Sequence, residues 1–180
     1  EMSYTDFVKN MDYYNVPFLS SNMNYYEGNF CRFLTAREKI IKRQGLKIKI
    51  LSIIHPDVFV LYPEKITKKL TILPLEDILS DSKGDCDILI ILSHSGFDND
   101  RTIAEKFTDI DVIIGGHSQT LLEKPVKIGN TLIVQAGQDA QNIGKLVLRF
   151  DENKKIISYD YEITPLTKDI PDDPQIRNMI

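Results

Sequence analysis

Three apolar runs do most to limit what this chain can become: "LKIKILSIIH" (46–55), "DILIILSH" (87–94) and "DVIIGG" (111–116). A strand apolar at every position has no face to offer water, so it belongs inside a sheet with both sides covered. The first run opens with Lys47 and Lys49 alternating outward, then turns continuously apolar, as a strand entering a core does. Two segments with helical spacing separate the three runs. "LPLEDILSDSK" (73–83) places Pro74 where a first helical turn accepts it. "DNDRTIAEKF" (98–107) puts Ile103 and Phe107 on one side, with Asp98 or Asn99 as its cap. Strand, helix, strand, helix, strand is the grammar of an α/β fold, a parallel sheet covered on both faces.

The flanks read differently. Ser3 to Tyr13 has helical spacing, "VPFLSSN" a short strand, "NYYEGNF" a loop pivoting on Gly28, and "FLTAREKIIK" a strand or hairpin arm. Pro56 to Thr71 is read as a connection. Beyond Thr120 come two hairpins, one turning at Gly129-Asn130 and one around Asp151 to Lys154. The tail "TPLTKDIPDDPQIRNMI" carries three prolines and reads as a linker.

Charge and cysteine content exclude several function classes. A net charge of -4 gives no general attraction for a nucleic-acid polymer or anionic lipid. No apolar run approaches the roughly 20 residues that span a bilayer, and "EMSYTDFVKN" lacks the basic start and apolar centre of a signal peptide. Cys31 and Cys86 have no metal-ligand spacing and read as free thiols, with a single bridge left open.

The chemistry concentrates at two strand ends. His94 closes one apolar run, and His117 follows another after Gly115-Gly116. With the strands parallel, both imidazoles emerge at the carboxyl edge of the sheet, where open α/β folds bind ligands. Imidazole is a common ligand of divalent metals. Glycines at 115 and 116 let the chain turn sharply and approach a bound group closely. Gln119 stands two residues after His117; on an extended segment the two side chains point the same way and could serve one site. His55, before Pro56, has no such setting and is read as structural, and Asp98 and Asp100 are read as helix-start residues. Two imidazoles and a carboxamide are all neutral, so a two-metal hydrolytic centre would need carboxylates beyond these three.

"LSHSGFDND", "DVIIGGHSQT", "TLIVQAG" and "IGKLVLRF", in this order between Leu92 and Phe150, resemble the second half of the catalytic domain of 5′-nucleotidases, which are calcineurin-like metallophosphoesterases. "PFLSSN" resembles the strand after that family's Asn-His motif. The resemblance implies a four-layer α/β/β/α sandwich around two divalent ions: zinc, manganese, magnesium or calcium. It implies that His94 and His117 hold one ion and that Gln119, where many members have histidine, holds the other.

The family's Asp-x-His and Gly-Asn-His-Glu motifs are not in this sequence, and no Gly-Asp precedes "PFLSSN"; in the family these motifs supply carboxylates and a catalytic histidine. Glu1 resembles the last residue of the third motif, and Ser3 stands where many members have an aspartate. The expectation is therefore a partial catalytic domain over residues 1–165, lacking its N-terminal metal-binding strands, with a linker starting over 166–180 and no catalytic residue to assign. The substrate class implied is a nucleotide or other phosphoester, and the setting extracytoplasmic. The alternatives are a 2′,3′-cyclic-nucleotide phosphodiesterase/3′-nucleotidase, a UDP-sugar hydrolase, or a non-catalytic binding module.

Overall fold

The computed structural model describes residues 18–27, 30–32, 36–60, 63–171 and 173–177. The helix expected over Ser3 to Tyr13 and the pivot at Gly28 lie outside these residues. Strands β1 (Met23–Glu27), β2 (Phe30–Arg32), β3 (Glu38–Arg43) and β4 (Leu46–Ile54) come first. A 3-10 turn (Pro56–Phe59), helix α1 (Glu64–Thr67), β5 (Leu70–Ile72) and α2 (Leu75–Leu79) lead to β6 (Ile88–His94). Helix α3 (Phe97–Lys106) connects β6 to β7 (Val112–Ile114). Hairpin β8 (Val126–Ile128) and β9 (Thr131–Val134) precedes hairpin β10 (Asn142–Phe150) and β11 (Ile156–Pro165), and a short α4 (Pro174–Arg177) follows.

The three apolar runs become neighbouring strands of one sheet, ordered β3-β4-β6-β7-β9-β8. Its centre is parallel, with Ile50 beside Ile90, Ile90 beside Val112, and Val112 beside Leu132. Antiparallel β3 and β8 close the two edges, giving a mixed α/β architecture. Alternation along each strand sorts the apolar residues onto two faces. Leu51, Ile53, Leu89, Ile91, Ile113 and Ile133 form one face and pack under α2 and α3 with Leu79, Ile103, Ala104 and Phe107. Each fully buried aliphatic side chain of this kind contributes about 1.5–3 kcal/mol.

The opposite face is less covered: Ile88 and Val112 are buried there, while Leu92 is 38% and Ile114 44% exposed. The apolar character of "DILIILSH" thus reflects two apolar faces but one helical cover. "NYYEGNF", expected to be a loop, holds all of β1 but Met23; β1 pairs with both β2 and β5, so two tyrosines sit in strand geometry that suits aromatic side chains. Helix α3 begins one residue before the expected cap. Gly96 occupies the cap position, with φ of 88° and no side-chain cap. His55 has the structural role expected of it: its Nδ1 accepts from the Asp57 N–H and caps the 3-10 turn.

Side chains finish the pairing where strands end. The Asn22 amide donates to Ile54 O and accepts from Ile54 N–H, standing in for a strand at the end of β4. At the opposite edge Asp111 accepts from Leu89 N–H and pairs with Lys83 at 2.8 Å. Cys86 is a buried free thiol. Among the described residues, no helix is long and apolar enough to cross a membrane.

Candidate metal centre

His94 is the last residue of β6, and its neighbour Ser93 points to the other face, toward α3. The turn after β7 brings His117 to it. The two ring centroids are 5.1 Å apart with planes at 61°, edge to face. Two imidazoles bound to one tetrahedral zinc at ordinary Zn–N distances would set their centroids roughly 5 Å apart, so this spacing fits a shared divalent ion. Both side chains are exposed at the sheet rim, open to a ligand. Partial burial first, and the neighbouring His117 second, hold the His94 imidazole below its usual pKa, which favours the neutral, ligating form.

The glycine pair allows the approach, and each glycine faces a different wall. A Cβ on Gly116 would stand 3.2 Å from Ser93 O and 3.3 Å from His94 Nδ1. A Cβ on Gly115 would stand 2.6 Å from Asp100 Oδ2 and 3.1 Å from the Gln135 amide. Without side chains, the turn slides between imidazole and carboxylate.

The geometry of Gln119 corrects one expectation. His117 and Gln119 both have left-handed backbone, with φ of 67° and 58°. The segment is a tight turn and not extended, so the argument that residues i and i+2 point alike loses its premise. Gln119 sits in the same turn as His117, exposed, and its own N–H is tied down from below by Gln135.

The turn is held from several sides. Ser118 Oγ accepts from Phe97 N–H at the start of α3 and lies 2.9 Å from Thr120 Oγ. The Gln135 amide, buried at the end of β9, is satisfied with its oxygen toward the turn. There it accepts from Gln119 N–H at 3.2 Å, Thr120 N–H at 3.0 Å and Ser118 Oγ at 3.2 Å. Asp100, 0% exposed, takes a 2.5 Å hydrogen bond from Ser93 Oγ through Oδ1. Sequence reasoning missed both Asp100 and Gln135. The available signal was polarity inside apolar context: Gln135 ends "TLIVQ", and Asp100 lies three residues before Ile103 on the core side of a helix.

Among the described residues, no group of three or more His, Cys, Asp or Glu side chains is placed to hold a metal ion. The imidazole pair stands without a third such side chain beside it among the described residues. A cleft of about 710 Å³ lies elsewhere, beside Asp87 and Asp111 at the amino-terminal edge of the sheet. Its Lys83 and Lys154 are paired with Asp111 and Asp87.

The mixed sheet, with an imidazole pair at its carboxyl rim, has a fold also seen in solved 5′-nucleotidase structures. The sulfate thiohydrolase SoxB of Thermus thermophilus superposes with a TM-score of 0.81 over 96% of this chain and 34% of that one; at 20% identity the likeness concerns the fold. In sequence, the chain is 42% identical over 110 residues to an apyrase of Tabanus yao, covering 50% of this chain and 20% of that protein. It is 35% identical over 107 residues to the 5′-nucleotidase of Homo sapiens, covering 49% and 19%. The chain therefore matches the second half of the 5′-nucleotidase catalytic domain. Its matched segment spans about a fifth of the length of these curated relatives. No family model matches the chain.

Proposed function

We propose that this chain forms the imidazole-bearing part of a phosphohydrolase that cleaves a 5′-nucleotide or related phosphoester at a two-metal centre. The observation that carries the reading is the approach of His94 and His117 from adjacent parallel strands to 5.1 Å. These two would hold one ion and Gln119 the other, with carboxylate ligands supplied by residues outside this trio. A divalent ion held there would acidify a bound water and neutralise charge on the phosphate. The chain's own residues present two imidazoles, with that of His94 held below its usual pKa, fix their separation through the glycine turn, and keep the rim open to a phosphoester. An extracytoplasmic setting belongs to the same proposal.

The test is zinc and manganese titration of the chain by calorimetry, alongside His94→Ala and His117→Ala. Binding that both substitutions abolish supports the reading, whereas unchanged binding in both variants sinks it. With three neutral candidate ligands, the chain alone is expected to turn over AMP negligibly.

A further inference from the structure

The turn that carries His117 and Gln119 rests on two buried polar side chains that no metal ligand accounts for. Asp100 has no exposure, and its Oδ2 is buried without a hydrogen-bond partner. Gln135 is 3% exposed. Both border a single point, the place where a Gly115 Cβ would stand, at 2.6 Å from the carboxylate and 3.1 Å from the amide. With the Gln135 oxygen toward the turn, its NH2 group lies on the Gly115 side, where the unpartnered Asp100 oxygen also lies. Burying two polar groups in such a place is costly unless their partners are fixed.

We infer that Asp100 and Gln135 are a buried latch beneath Gly115 and act as the positioning residues of the His94–His117 pair. Asp100 grips Ser93, the residue next to His94, and so fixes the end of β6 from the helix side. Gln135 accepts from the N–H groups of Gln119 and Thr120 and so fixes the left-handed turn from the β9 side. Gly115 is the space the latch occupies. Three elements, α3, β6 and β9, thereby set the separation of the two imidazoles from beneath the turn. Burial pushes the Asp100 carboxyl up to about 6, in keeping with a carboxylate sealed from water.

This inference rests on the metal-centre reading, and the experiment separates the two. In the full chain, Asp100→Ala, Gln135→Leu and the conservative Asp100→Asn are compared with the unaltered protein. Two readouts are taken: zinc affinity, and the nuclear Overhauser effect between the His94 and His117 rings without metal. Asp100→Ala and Gln135→Leu should each weaken zinc binding on the order of tenfold or more and weaken the ring-to-ring signal, with the circular dichroism spectrum kept. Asp100→Asn, which still accepts from Ser93 and can face Gln135, should restore both. Unchanged affinity and unchanged ring contact in Asp100→Ala and Gln135→Leu would overturn the inference. Should Asp100→Ala fail to fold, Ser93→Ala removes the same hydrogen bond and is judged by the same readouts. If the unaltered chain binds no zinc, the metal reading falls and the ring contact alone decides the latch.

Discussion

Gly115 and Asp100 meet so closely that a single added methyl group would stand 2.6 Å from the carboxylate oxygen. The carboxylate cannot retreat freely, because it is buried and bonded to Ser93. Gly115→Ala should therefore destabilise the fold by about 1–3 kcal/mol through overpacking. Gly116→Ala, facing contacts of 3.2–3.3 Å, should cost less and act mainly on the His94 ring. Urea unfolding of the two variants checks the order; equal midpoints would contradict it.

Asp100 also predicts a pH dependence. Its folded pKa of about 6 lies above the ordinary 3.8, so the folded chain holds this proton more tightly than the unfolded chain. The associated stabilisation is present below pH 3.8 and is lost as pH rises through about 6. Asp100→Asn should remove that fall, amounting to at most roughly 3 kcal/mol. The measurement is metal-free stability between pH 4 and 7, as a difference between variant and unaltered chain. Parallel curves would refute the assignment.

Two ion pairs should behave unlike each other. Lys83–Asp111 is half-buried, and Asp111 also accepts from Leu89 N–H at 2.8 Å, holding the start of β7 to β6. Arg149–Asp160 lies on the exposed hairpin β10–β11. Asp111→Ala should cost about 2 kcal/mol because it orphans a buried N–H and a cation. Asp160→Ala should leave stability close to that of the unaltered chain, because the pair is solvent-screened. Thermal melts at low and high salt distinguish them, since screening acts mainly on the exposed pair.

On the proposed ligand assignment, Gln119 serves a different ion from the imidazoles. Gln119→Ala should leave the first equivalent of zinc in place and weaken the second, whereas His94→Ala should lose the first. A calorimetric titration that resolves the two steps decides this. Loss of the first equivalent in Gln119→Ala would reassign the carboxamide.

The sheet was legible in the sequence because β4, β6 and β7 are apolar enough to have one solution, and the Gly129-Asn130 hairpin because its turn chemistry is local. What could not be read depended on contacts made far along the chain. Asp100 resembles any acidic residue in a first helical turn until Ser93 and Gly115 close over it. Gln135 acquires its role only when the turn at 118–120 folds back onto β9. The alternation argument for Gln119 lost its premise for a related reason: it assumes extended backbone, and left-handed residues break it. His94 and His117 were legible because parallel strands must place their ends on the same rim.

The left-handed backbone at His117 and Gln119 has a consequence of its own. Non-glycine residues in that region cost of order 1 kcal/mol or more each and persist where surroundings force them. Glycine at position 119 should relax the turn and raise the melting temperature while removing the carboxamide. A chain tuned for durability alone would have taken that exchange. Polar side chains held in mirror-image torsions cost this corner some robustness, as they do at Asp139 and Lys154 elsewhere in the chain.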